Sequence, residues 1–119
     1  MEKIMSMLCK HMDTGVDGRM FGGQMLFYLD EAAAVYAISK CDRSIRLVTY
    51  RFGETVFRKS VAINQILTFY GHEPIFTRSS ISFRITVTAD DEPCLEADAT
   101  LVAVDASGKK TVIRPRKEL

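Results

Sequence analysis

Phe21-Gly22-Gly23-Gln24-Met25-Leu26-Phe27-Tyr28-Leu29-Asp30-Glu31-Ala32-Ala33-Ala34 is the stretch that decides how this chain folds. Counting on from Phe21, apolar residues recur at Met25, Leu29, Ala32, Ala33, Tyr36 and Ala37, close to the spacing of one helix face. That spacing predicts a helix over about Phe21 to Ser39. Gly22 and Gly23 fall at its N-terminus, where backbone N–H groups lack partners and the helix dipole favours negative charge. Asp30 falls two turns on, among residues expected to be buried, where water is a poor partner. A carboxylate placed there is usually paired or employed.

Around this helix the pattern is that of strands. Ile4 to Cys9 reads as a short strand, followed by a turn-rich stretch from His11 to Arg19 with Asp13, Gly15, Asp17 and Gly18. Beyond the helix, Ile81, Phe83, Ile85 and Val87 alternate with Ser82, Arg84, Thr86 and Thr88, a half-buried strand. Leu95, Ala97, Ala99, Leu101 and Ala103 repeat that alternation. Less regular strands are expected over about Ile45 to Ala62 and Ile66 to Thr77, the latter broken near Gly71-His72-Glu73-Pro74, with Asn64-Gln65 turning between them. Thr111-Val112-Ile113 reads as a short final strand. One long helix must bury its stripe on something, and a curved antiparallel sheet of five to six strands is the partner available. The expected class is therefore α+β, a single domain over residues 1–119 with the sheet wrapped around a central helix.

Composition narrows the function. Sixteen basic and fifteen acidic residues leave a formal charge of +1, without the concentrated basic stripe of a nucleic-acid-binding protein. Cys9, Cys41 and Cys94 are an odd set without C-x-x-C spacing, suggesting neither a disulfide framework nor a zinc site. No metal or separate cofactor is expected. Free thiols suit a reducing compartment. Glu2, Lys3 and Lys10 interrupt the first twelve residues, and no run approaches a membrane span. The expectation is a cytoplasmic protein that binds neither nucleic acid nor membrane.

The Gly22–Asp30 spacing has a consequence for any shared chemistry. Eight residues along a helix cover about 12 Å, so one reacting carbonyl cannot touch a Gly22 amide and an Asp30 carboxylate of the same helix. Two copies with antiparallel helices across a two-fold axis would bring them together, in two equivalent sites. The plainer alternative is that Asp30 pairs locally and the two glycines merely permit close packing.

The segment from Asp13 to Ala34 resembles the acyl-CoA thioester hydrolases of the hotdog fold, in particular their YciA-like branch. Their motif D-T-N-x-x-G-x-x-F-G-G, followed by a helical aspartate, corresponds here to Asp13-Thr14-Gly15-Val16-Asp17-Gly18-Arg19-Met20-Phe21-Gly22-Gly23 and Asp30. The likeness continues in Leu47-Val48-Thr49, Tyr70-Gly71, Arg78-Ser79-Ser80-Ile81, Ala99 to Asp105 and Arg114-Pro115-Arg116. It implies a hotdog fold, an acyl-CoA substrate cleaved to a carboxylic acid and coenzyme A, and a homodimer with shared sites, often a trimer of dimers. It also implies roles: the Gly22 or Gly23 amide binds the thioester oxygen, and Asp30 of the facing subunit acts as base or nucleophile. Three positions depart from the pattern. Gly15 stands for the motif asparagine, whose amide Asp17 or Gln24 would have to replace; Lys59-Ser60 stands for lysine-proline, and Asn64-Gln65 for glycine-aspartate.

Further candidates for holding substrate are Asp13, Asp17, Phe21, Gln24 and Thr49, the last being equally explained by β-propensity. Arg78, Ser79 and Ser80 are candidates for pantetheine or phosphate. Arg114, Arg116 and Lys117 suit the phosphates of coenzyme A, since Arg grips phosphate bidentately, or form a solvated tail. His11 and His72 read as surface loop residues. Two other functions compete: a non-catalytic acyl-CoA-binding module, suggested by Gly15, and a hotdog hydratase or dehydratase, disfavoured because the helix-start motif lacks a histidine.

Overall fold

A computed structural model describes residues 1–117. Strand β1 (Glu2–Leu8) leads through a 3-10 turn (His11–Asp13) into helix α1 (Gly22–Lys40). Strands β2 (Arg46–Phe57), β3 (Ile66–Phe76), β4 (Ser80–Ala89) and β5 (Glu92–Val104) follow. They form one five-stranded sheet in the order β1-β3-β4-β5-β2, every neighbouring pair antiparallel. The helix leaves β1 at one edge and delivers the chain to β2 at the other, so it must cross the sheet's face.

The core follows from the two periodicities. Met25, Leu29, Ala32, Ala33, Tyr36 and Ala37, the residues expected on one helix face, are all buried. Ile81, Phe83, Ile85 and Val87 from β4 and Leu95, Ala97, Ala99, Leu101 and Ala103 from β5 join them in one cluster. Alanines on both elements let helix and sheet backbones approach closely. The alternate residues line the outer face in cross-strand pairs: Ser82 Oγ with Thr100 Oγ1 at 2.8 Å, and Arg84 Nη1 donating to Asp98 Oδ1 at 2.9 Å.

Four sequence expectations need correction. The long second strand ends at Phe57 rather than near Ala62: the N–H groups of Arg58 and Lys59 converge on one β5 carbonyl, that of Cys94, and Met20 N–H then bonds the Val61 carbonyl at 2.8 Å. The third strand is not broken: a bulge between His72 and Ile75, with Glu73 at φ 57°, absorbs the Gly-His-Glu-Pro stretch. His72 therefore lies within β3, half-buried, its Nε2 3.2 Å from Thr86 Oγ1, and is not a loop residue. Thr111 to Ile113 forms no strand. It is extended chain tied by Thr111 N–H to the Ala103 carbonyl and Ile113 N–H to the Arg78 carbonyl.

Candidate active site

Helix α1 begins without a side-chain cap. Phe21, the N-cap, is extended at φ −66° and ψ 138°, and the first helical bond runs from Met25 N–H to the Phe21 carbonyl at 3.0 Å. The amides of Gly22, Gly23 and Gln24 precede that bond and have no acceptor within the helix. Neither glycine is needed for backbone geometry, since neither has positive φ. Nor does packing within the chain require them: a Cβ at Gly23 would meet nothing within 4 Å, and one at Gly22 only the Phe57 ring at 3.9 Å. Close packing inside the chain thus does not explain the pair.

Asp13 underlies this helix start. It is 0% exposed, and both carboxylate oxygens are occupied. Gln24 Nε2 donates to Oδ1 at 3.0 Å, the Tyr28 hydroxyl donates to Oδ1 at 2.6 Å, and Lys10 N–H donates to Oδ2 at 2.9 Å. Burial alone raises its pKa, but the Tyr28 and Lys10 hydrogen bonds, the Lys10 charge and the Gln24 bond outweigh it, leaving the carboxyl below its ordinary range. Asp13 therefore fastens the helix and is out of substrate's reach, contrary to the expectation that it holds substrate. Gln24 commits its Nε2 to this bond, and its Oε1 accepts none among the described residues. Asp17 is exposed and caps a local turn, accepting Arg19 N–H at 3.1 Å. Tyr28 escaped the sequence reading because nothing in its spacing from Asp13 announces the contact. At Gly15, a Cβ would come within 3.1 Å of the Phe21 ring, so that half-exposed ring occupies the space a side chain would need.

Asp30 also differs from expectation. It is exposed on this chain rather than surrounded by core, and its Oδ1 accepts the Thr49 hydroxyl at 2.7 Å. Thr49 on β2 thus faces the carboxylate, and Oδ2 is left without a partner among the described residues. About 12 Å of helix separates Asp30 from the Gly22 amide, so one chain does not join them.

Three hollows bear on the candidate residues, one beside the helix start and two beside the segment after β5. A cavity of about 250 Å³ opens beside Gly22, walled by Met20, Phe21, Met25, Phe57 and Val61. The extended segment 111–112 separates the other two. One, about 300 Å³, is lined by Arg78, Ser79 and Lys110; the other, about 590 Å³, by Arg46, Ser44 and Arg114. Ser80 is turned toward Thr77 at the start of β4. The C-terminal basic residues do not form a loose tail. Asp42 N–H bonds the Arg114 carbonyl, and Arg116 N–H bonds the Lys40 carbonyl, both at 2.8 Å. Their backbone is thus stitched to the end of α1 while the side chains of Arg114, Arg116 and Lys117 stay exposed. Lys110 and Arg46 add charge here that the sequence reading did not single out. Among the described residues no three His, Cys, Asp or Glu side chains converge as a metal site.

One helix crossing a five-stranded antiparallel sheet ordered β1-β3-β4-β5-β2, with bare glycine amides at its start, is a hotdog-class thioesterase arrangement. The chain belongs to the thioesterase superfamily, whose family model matches residues 17–96. It is similar to a hexameric thioesterase from Yersinia pestis at 30% identity, with 94% of each chain covered and a TM-score of 0.85. A hexameric hotdog fold thioesterase of Campylobacter jejuni matches at 30% identity over 95% of this chain and 90% of that one, TM-score 0.83. The aspartate-to-alanine form of a hexameric broad specificity acyl-coenzyme A thioesterase matches at 25% identity over 98% and 88%, TM-score 0.85. A comparison with curated protein sequences returned no match.

Proposed function

We propose that this protein is an acyl-CoA thioesterase, hydrolysing an acyl-CoA to a carboxylic acid and free coenzyme A, and that its active unit is a homodimer with two shared sites. Residues 1–119 act as one hotdog domain. The observation that carries the reading is the pair of uncapped helix-start amides at Gly22 and Gly23, which neither the backbone geometry nor the packing of their own chain requires as glycines. A thioester carbonyl fits there. As negative charge develops on its oxygen, a preorganised N–H donor contributes about a hundred- to thousandfold in rate.

Asp30 of the partner subunit serves as general base. With Oδ1 held by the Thr49 hydroxyl, Oδ2 takes a proton from water as that water attacks the carbonyl. The tetrahedral intermediate expels coenzyme A thiolate, and Asp30 returns the proton to the sulfur. Single turnover in 18O-water then places the label in the product acid, whereas a nucleophilic Asp30 would transfer one of its own oxygens first.

Two features support dimerisation. Strand β2 is an edge of twelve residues with Val48, Tyr50 and Phe57 exposed, an invitation to pair with another copy. On α1, Leu26 and Phe27 are also exposed, so the helix carries apolar surface beyond the face its own sheet covers. The named relatives are hexameric, which favours three such dimers together. From Asp30 to Lys40 is about 15 Å of helix, a span for the pantetheine arm, ending where Arg114, Arg116 and Lys117 meet the nucleotide phosphates. The 250 Å³ cavity beside Gly22 suits the acyl chain, with Phe21 on its wall. Arg78 and Ser79 make a further phosphate contact in this reading, supported by the hollow they line with Lys110. Three unpaired thiols suit a cytoplasmic setting.

Purified protein is expected to release thiol across a chain-length series of acyl-CoAs, and Asp30→Ala to bring release to background with the oligomer intact. Wild-type rates in Asp30→Ala overturn the assignment of the base. Saturable acyl-CoA binding without hydrolysis by the wild type overturns the enzymatic reading and leaves a binding module.

A further inference from the structure

We infer that Asp13 is a positioning residue for the amides of Gly22 and Gly23, holding the chain on both sides of them; this rests on the thioesterase reading above. On the N-terminal side, the Asp13 carbonyl accepts Phe21 N–H at 3.2 Å. On the C-terminal side, its carboxylate Oδ1 accepts Gln24 Nε2 at 3.0 Å and the Tyr28 hydroxyl at 2.6 Å. Only Gly22 and Gly23 lie between these fixed points.

Those two residues have little to anchor them otherwise. Successive glycines have wide backbone freedom and no side chains to pack. No side chain caps the helix start. Yet donors to a developing oxyanion act only if they stand ready within a narrow distance range. The Asp13 carboxylate meets this need because it is itself immobile: fully buried, with Oδ2 taken by Lys10 N–H at 2.9 Å and the Lys10 ammonium 3.8 Å away. A buried charge is a costly way to fasten a loop, and apolar side chains of similar size often do it as well. What a carboxylate adds is direction. One oxygen fixes two helix side chains, one turn apart, relative to the strand-side chain at Asp13.

The test compares wild type with Asp13→Ala, Asp13→Asn, Tyr28→Phe and Gln24→Ala, and with Ile85→Val as a core control far from the helix start. Two quantities are read: kcat and KM on the best acyl-CoA, and 15N order parameters of the glycine amides in oligomer labelled at its seven glycines. In Asp13→Ala, kcat is expected to fall about a hundredfold, the effect of a misplacement near 1 Å, while KM changes by less than about twofold. Order parameters of Gly22 and Gly23 fall from about 0.85 to below about 0.6, and those of Gly53 and Gly71 hold. Asp13→Asn keeps an oxygen acceptor for Gln24 and Tyr28 but turns an NH2 group to the Lys10 N–H, so it recovers only part of kcat. Should Asp13→Ala not fold, Tyr28→Phe and Gln24→Ala each remove one bond and are expected to lower kcat about tenfold and to loosen the same two amides. Wild-type kcat and glycine order in these variants overturn the inference, as does an equal kcat loss in Ile85→Val. An inactive wild type instead sinks the thioesterase reading, and the glycine order parameters then decide the role of Asp13 alone.

Discussion

Cys9, Cys41 and Cys94 are each buried and unpaired, and burial raises every one of their thiols above the ordinary range, Cys94 to about 11. The charge of Asp13 adds to the effect at Cys9. A group whose folded pKa lies above its unfolded one keeps its proton longer in the folded chain. Between pH 9 and 11 the unfolded chain therefore ionises first and is stabilised relative to the fold. Stability is expected to decline as pH rises through that window, Cys94 contributing up to roughly 3 kcal/mol. Thermal melts from pH 8 to 10.5 should show the slope, and Cys94→Ala should flatten it; an unchanged slope would mean Cys94 ionises alike in both states. At neutral pH the same burial makes these thiols inert, so thiol released in an assay comes from coenzyme A.

Helix α1 and strand β3 meet where a small residue is obligatory. A Cβ on Gly71 would stand 2.4 Å from the ring of Tyr36, which is 3% exposed and packed at 4.7 Å against Phe83. That ring cannot withdraw, so Gly71→Ala is expected to cost about 3 kcal/mol, at the upper end for overpacking, and Tyr36→Leu in the same chain to recover part of it. Chemical denaturation of wild type and the two variants checks this, and a neutral Gly71→Ala would show that the helix shifts freely over the sheet. The site also marks where sequence reading stops. The helix and its buried face were legible at each of six positions, because periodicity reports burial on one's own element. Contacts across elements leave no periodic trace: the need for Gly71, the Tyr28–Asp13 bond and the bulge that keeps β3 continuous are set by tertiary approach. Asp30 was misjudged for a related reason. Its neighbours in sequence are buried, but its own direction on the helix points toward Thr49 and the open edge of the sheet.

In the whole molecule the decisive matter is which chains supply the two halves of a site. Gly22→Pro offers a clean removal of one half. Proline is well tolerated at the first helical position, and Phe21 already has the extended backbone that a following proline requires. The substitution deletes the Gly22 N–H and sets a ring beside the cavity that Gly22 lines, both on the donor half of the site, whereas Asp30→Ala deletes the carboxylate. Each variant alone should assemble normally and hydrolyse at about a hundredth of the wild-type rate or less. When equal amounts are unfolded together and refolded, half of the dimers are mixed. Each mixed dimer holds one site with an intact Gly22 from the Asp30→Ala chain and an intact Asp30 from the Gly22→Pro chain, while its other site lacks both. Activity should therefore return to about a quarter of wild type. A site built within one chain allows no such recovery, since every chain in the mixture carries a defect. Background rates from a verified mixed oligomer would place donor and carboxylate in the same protomer, against the separation of about 12 Å that one helix imposes.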